Sequence, residues 1–305
     1  MSHQSRRQFI RNTSALVLGS TLPLSLVELV FAQSQHNFSF ACIADAHIQQ
    51  IKGRYFVEAW DEQLKRAVAE VNALQPKPDF VVFAGDLAQF GTPAELLHGA
   101  EMLAALRPPL HAVIGEHDYY LDLGQQWQAL FGAPDYSFDH KGVHFIVLNS
   151  IQTDTAWVQQ AWESPAHRMW AMASGEHQRS APFRLAEAQW QWLRHDLSTV
   201  HALTPLVVIA HAPLQLTVAG QNTRIQQLLS GFAHVNVLYG HEHHAQVQQL
   251  GHIHMHALPA VTGRFAVNPS HAMPHLSKLT VALSDNSIMR SHWQLLNMFN
   301  GKVVT

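Results

Sequence analysis

The sequence predicts an α/β fold, a four-layer αββα sandwich of two mixed β-sheets flanked by helices. Three observations lead there. Apolar runs of strand length alternate with stretches whose apolar residues recur at helical spacing. Several of the apolar runs are unbroken, as expected for strands covered on both faces. From His244 onward the chain reads mostly as short strands.

Each element has its own signal. Phe38 to Ala44 reads as a buried strand. Glu58 to Gln75 reads as a helix, because Trp60, Leu64, Val68, Val71 and Leu74 share a face, and Pro76 and Pro78 stop it. Asp79 to Ala84 is a second strand, and Thr92-Pro93 opens a helix that runs to about Leu106. Leu110 to Ile114 is a third strand. Tyr136 to Asp139 and Val143 to Asn149 form a hairpin around Lys141-Gly142. Ala186 to Leu197 is a helix, Leu206 to Ala210 a strand, Ile225 to Phe232 helical, and Val235 to Tyr239 a strand. The irregular stretch from Ile151 to Arg184 holds Trp157, Trp162 and Trp170. It is long enough to be a lid or a substrate rim, or a surface excursion packed by its tryptophans.

Composition narrows the class. The chain has 305 residues, of which 47% are hydrophobic, so a substantial core forms and global disorder is excluded. Lys and Arg total 19 without a long block, and the net charge is -3, so no nucleic-acid surface is indicated. The single cysteine, Cys42, rules out an internal disulfide and sits in an apolar run as a buried, inert thiol.

Residues 1–32 read as an export signal, and residues 36–305 as one domain. Ser5-Arg6-Arg7-Gln8-Phe9-Ile10 resembles the twin-arginine pattern. The moderately apolar stretch from Ala15 to Phe31 is interrupted by Pro23 and Glu28, and Val30-Phe31-Ala32 suits cleavage after Ala32. The expectations are a periplasmic location, a twin-arginine translocase as partner during export, and no membrane span in the mature chain.

Five clusters carry metal-ligand chemistry, nearly all placed after strand-forming runs. They are Asp45-x-His47, Gly85-Asp86, Gly115-Glu116-His117-Asp118, His211 and Gly240-His241-x-His243. Carboxylates and imidazoles delivered from strand ends to one sheet edge suit a two-metal hydrolytic site. Alone, each motif is weak. In this order and setting they are not coincidence.

On these residues the chain resembles the calcineurin-like metallophosphoesterases over about Phe38 to Phe265, and most closely the branch with class III cyclic nucleotide phosphodiesterases. Tyr136-Ser137-Phe138, Val143 to Asn149 and Gln189-Trp190-Gln191-Trp192-Leu193 share that branch's pattern. The resemblance implies two transition-metal ions, Fe, Mn or Zn. Asp45, His47 and His243 would hold the first, and Glu116, His211 and His241 the second, with Asp86 bridging. A hydroxide shared by the ions would attack a small-molecule phosphomonoester or phosphodiester in line. His117 would stabilise the transition state or protonate the leaving alkoxide, and Asp118 would orient His117.

Two departures stand out. The family pattern has Asn where this chain has Glu116, which adds a charge to the ligand set. That motivates an alternative, a non-hydrolytic metal-binding protein that handles metal or assists assembly of an exported metalloprotein. Purple acid phosphatases have a ligating Tyr where this chain has Gln89, so no tyrosinate charge-transfer band is expected. His252, His254 and His256 share a strand face and are candidates for an accessory patch, with solvated surface the plainer reading. Arg54 and Arg264 are candidates for phosphate recognition.

Overall fold

The computed structural model describes residues 38–152, 183–214, 220–261, 275–284, 287–297 and 303–304. The chain divides into Met1–Gln35 and His36–Thr305. The export signal, most of the Ile151 to Arg184 stretch and Arg264 lie outside the described residues. No helix among the described residues is long and apolar enough to cross a membrane.

Two six-stranded sheets form the body. The first uses β1 (Phe38–Ile43), β4 (Phe80–Phe83), β5 (Leu110–Ala112), β12 (His275–Ser284), β13 (Ser287–Asn297) and β14 (Val303–Val304), in the order β14-β13-β12-β1-β4-β5. The second uses β6 (Tyr136–His140), β7 (Val143–Leu148), β8 (Leu206–Ala210), β9 (Val235–Tyr239), β10 (Gln246–Leu250) and β11 (Ile253–Ala257), in the order β10-β11-β9-β8-β7-β6. A small hairpin, β2 (Gln50–Lys52) with β3 (Tyr55–Phe56), stands apart from both. Strands β1, β4 and β5 are mutually parallel, as are β7, β8, β9 and β11, while β12 joins β1 and β6 joins β7 antiparallel.

The period of two along each strand sorts side chains into layers. Phe38, Phe40 and Cys42 of β1 meet Phe80, Val82, Phe145, Val207, Ile209 and Leu238 between the sheets. Ala41 and Ile43 point the other way, into a cluster with α1 (Glu58–Ala73), α2 (Pro93–Leu103) and α4 (Gln125–Phe131) through Leu64, Val68, Leu96, Leu103 and Trp127. Beyond the second sheet, α5 (Glu187–Ser198) and α6 (Gln221–Leu229) bury Trp190, Leu193, Leu197, Ile225 and Leu229. This is the four-layer αββα sandwich. Cys42 is fully inside the inter-sheet layer, and burial pushes its thiol pKa up, so it stays an unreactive thiol.

Several elements differ from the sequence reading. Strands β12 and β13 have 10 and 11 residues, longer than the short strands expected after His244. The β2–β3 hairpin and α4 carried too few residues to show a period. The Glu116 cluster does not end a strand: β5 stops at Ala112, and Glu116 opens the short helix α3 (Glu116–Tyr119). The Thr92-Pro93 start of α2 is a full capping box, with Thr92 Oγ1 accepting from Glu95 N at 3.2 Å.

His256 is buried in β11, where its Nε2–H donates to Asn236 Oδ1 at 3.1 Å. His254 is exposed and His252 lies in the turn before the strand, so the three do not form a common patch. Burial, with His254 nearby, lowers the His256 pKa to about 4. The folded state therefore binds the proton more weakly than the unfolded chain. The stability this histidine contributes is complete above about pH 6.5 and is lost as pH falls toward 4, on the order of 3 kcal/mol at most. Denaturant unfolding of metal-free protein between these limits should show that slope, and His256→Gln should flatten it. Equal slopes in the two proteins would assign the acid sensitivity elsewhere.

Candidate metal centre

Five loops meet where the parallel strands of both sheets end, at their C-terminal edge. The loop after β1 stays zipped to the loop after β4. Asp45 N donates to Gly85 O (3.0 Å), His47 N to Asp86 O (2.9 Å) and Ile48 N to Leu87 O (2.8 Å). The loops of the second sheet are tied in the same way, with Gly240 N on His211 O (3.0 Å) and His241 N on Asp45 Oδ1 (3.1 Å). Asp45 (φ 57°), His47 (φ 48°), Asp86 (φ 56°), His241 (φ 68°) and His243 (φ 59°) all sit in the left-handed region. Non-glycine residues adopt it at a cost of about 1–2 kcal/mol each, so tertiary bonds hold these corners.

Two glycines make the convergence sterically possible. At Gly85 (φ +92°) a Cβ would run into the His211 ring, and at Gly115 it would run into the Asp86 carboxylate and backbone. Gly115→Ala should displace Asp86 and abolish stoichiometric metal binding, with the fold destabilised by roughly 1–3 kcal/mol. Elemental analysis alongside thermal unfolding checks this, and full metal content in the variant would contradict it.

The donor atoms fall into groups that share members. Asp45, His47, Asp86 and His243 place one donor atom each within 4.8 Å of one another, as do Glu116, His211 and His241, and as do Asp86, Glu116 and His117. His243 Nε2 is 3.2 Å from Asp45 Oδ1, and His47 Nε2 is 3.1 Å from His243 Nε2. On the other side, His241 Nδ1 is 2.7 Å from Glu116 Oε1, and His211 Nε2 is 2.9 Å from Glu116 Oε2. Asp86 Oδ2 reaches both sides, 3.2 Å from His211 Nε2 and 3.7 Å from His47 Nε2. All seven side chains are buried, apart from a partly exposed His243.

Electrostatics explains the packing of like groups. Burial, together with His117 and His243, holds His47 well below the usual histidine range, so it is a neutral donor. Burial alone would raise Glu116, but His241 and His211 outweigh it and hold the carboxyl well below its usual range. Burial would likewise lower His211, yet Asp86 and Glu116 raise it well above. Donation of His211 Nδ1–H to Ala84 O at 2.6 Å turns Nε2 inward. There Nε2 and Glu116 Oε2 are close but not aligned for a hydrogen bond, and among the described residues neither has another hydrogen-bond partner. Two buried, inward-facing donor atoms in a set of imidazoles and carboxylates fit transition-metal ions.

A family model for calcineurin-like phosphoesterases matches residues 38–245. The chain belongs to that family. It is 22% identical over 215 residues to a probable glycerophosphodiester phosphodiesterase of Arcobacter nitrofigilis, covering 70% of each protein. It is 22% identical over 240 residues to a 3',5'-cyclic-nucleotide phosphodiesterase of a Nostoc species, covering 74% of this chain and 79% of that one. In structure it resembles a dimetal phosphatase from Danio rerio, with a TM-score of 0.57 at 17% identity over 85% of this chain and 95% of that one. This calcineurin-like phosphoesterase is a metal-dependent hydrolase, and its ligand clusters suit divalent ions.

Within this phosphoesterase one expected role changes. Asp118 does not orient His117. Its carboxylate accepts Ala88 N (2.9 Å), Gly115 N (3.0 Å) and Leu87 N (3.3 Å), and so clamps the loops bearing Asp86 and Glu116. Burial, and then the Asp86 charge, push its pKa up to about 8. The orienting partner of His117 is the Gln89 carbonyl, which accepts Nδ1–H at 2.7 Å. Nε2 then faces Asp86 Oδ2 at 3.8 Å. The Gln89 position matters through its backbone, which no side-chain pattern could reveal.

Two further contributors were missed. Phe183 is buried and meets the His241 ring edge-on at 5.5 Å. Glu95 is fully buried and accepts Gln50 N (3.0 Å) and Phe90 N (2.9 Å), which pins the chain beyond His47 to the chain beyond Asp86. The Thr92-to-Glu95 capping pattern was the available signal for Glu95. Arg54 is exposed in the turn between β2 and β3, and among the described residues no hydrogen bond or ion pair ties it to the ligand groups.

Proposed function

We propose that the chain is an exported dinuclear-metal phosphoesterase. In this reading Asp45, His47 and His243 hold one ion, Glu116, His211 and His241 hold the other, and Asp86 holds both. The observation that carries it is the sharing of Asp86 between two buried donor groups, with His117 beside it. When bound, such ions polarise the phosphoryl oxygens and activate a water for in-line attack. The chain's own groups do the rest. The zipped loops fix the donors before substrate arrives, and burial keeps competing water out. His117, held by the Gln89 carbonyl through Nδ1, presents Nε2 to donate a proton to the departing alkoxide.

A phosphodiester is the preferred ester class because the relatives matched over 215 and 240 residues are named as phosphodiesterases, whereas those named as serine/threonine-protein phosphatases match over 128 to 175 residues. The export part rests on Ser5-Arg6-Arg7-Gln8-Phe9-Ile10 and the apolar stretch behind it, which would engage a twin-arginine translocase and deliver the protein to the periplasm.

Hydrolysis of bis(p-nitrophenyl) phosphate and p-nitrophenyl phosphate, with added Mn(II) or Fe(II), tests the chemistry. The diester should turn over faster. Protein that holds two ions yet cleaves neither ester would point instead to the metal-handling alternative. Fractionation of cells carrying Arg6→Lys/Arg7→Lys tests export, since processed periplasmic protein should disappear.

A further inference from the structure

We propose that Glu116 sets the second ion position for a trivalent metal, Fe(III), next to a divalent ion at the Asp45, His47 and His243 position. This rests on the dinuclear reading above and adds to it which charge each position prefers.

The argument is one of charge balance. Glu116 is fully buried, with Oε1 2.7 Å from His241 Nδ1 and Oε2 2.9 Å from His211 Nε2, so both oxygens face the donors of the second group. Among the described residues, neither Asp86 nor Glu116 forms an ion pair with a lysine or arginine. Their partners of opposite charge are histidines alone. The enclosed negative charge is therefore left to whatever cation the histidines hold.

The three carboxylates are not equivalent. Asp45 Oδ1 accepts His241 N–H at 3.1 Å, and Asp86 Oδ1 accepts His117 N–H at 3.0 Å. Each of those bonds disperses part of the charge. Among the described residues Glu116 accepts no backbone N–H, and its oxygens meet only the two imidazoles of the second position. An amide there, as in the family pattern, would supply a neutral oxygen. A carboxylate supplies the same kind of hard donor with one more negative charge, and one more positive charge on the ion offsets it. Hard carboxylate oxygens with two imidazoles suit Fe(III).

The test is reconstitution of metal-depleted full-length protein in air with equal iron and zinc. Elemental analysis and Mössbauer spectroscopy after desalting give metal content and iron oxidation state. Wild type should keep one Fe(III) and one Zn(II) per chain. Glu116→Gln and Glu116→Asn should lose the Fe(III) to chelator at least about 100-fold more readily, while retained zinc reports that the fold and the first position survive. Loss of partners that only support a ligand already weakens metal binding 10–100-fold. Wild type that takes up two Zn(II) and excludes Fe(III), or a Glu116→Gln variant that keeps Fe(III) as tightly as wild type, overturns the inference and leaves the phosphoesterase reading intact. Wild type that binds no metal overturns both.

Discussion

Asp86→Ala is expected to lose both ions on desalting and to lower diester turnover by more than about 10³-fold. Its Oδ2 lies 3.2 Å from His211 Nε2 and 3.7 Å from His47 Nε2, so one truncation removes a donor from each side. Its Oδ1 also accepts His117 N–H at 3.0 Å, which ties the start of α3 to the loop after β4. Unfolding is not the expected cause of the loss. In metal-free protein the Asp86 charge raises both Asp118 and His211, so its removal eases one buried carboxyl and takes support from one buried imidazole. The metal-free variant should still melt in one cooperative transition, as metal-free wild type does. Calorimetry of both, with elemental analysis, decides the matter. A variant that retains two ions would exclude Asp86 as their shared ligand.

His117→Ala is expected to behave in the opposite way, keeping its ions and losing turnover by about 10²–10⁴-fold, the range for a positioned general acid. The backbone bond from residue 117 to Asp86 survives this truncation, so the ligand groups stay in place. The loss should depend on the leaving group. A p-nitrophenolate departs without help, whereas an alkoxide needs a proton, so the variant should be hurt more on an alkyl diester than on a nitrophenyl diester. Uniform loss across leaving groups would reassign His117 from proton donor to charge stabiliser, and full turnover would remove it from the chemistry.

The sequence exposed the strands and the motifs at their ends because both are written locally. Continuous apolar runs such as Phe80–Phe83 and Leu206–Ala210 report burial on both faces. What it hid depends on contacts between distant segments. Gly85 is needed because a Cβ there would meet the ring of His211, which is 126 residues away in sequence. Asp118 read as a partner for its neighbour His117, but its oxygens are taken by backbone N–H groups of Leu87, Ala88 and Gly115. The β2–β3 hairpin has almost no pattern of its own and is held by Glu95 from α2. Between Ala282 and Leu283 of β12 the register against β13 shifts, so Met289 is an extra residue that interrupts the two-residue period of β13.

The left-handed corners at Asp45, His47, Asp86, His241 and His243 bear on any attempt to transplant this centre. Copying the seven side chains onto another sandwich with ordinary extended strand ends would aim them in different directions. A designer would have to move whole turns, with Gly85, Gly115 and the rungs that zip neighbouring loops together. The heritable unit here is a set of bent main-chain segments, and the ligands are passengers on it.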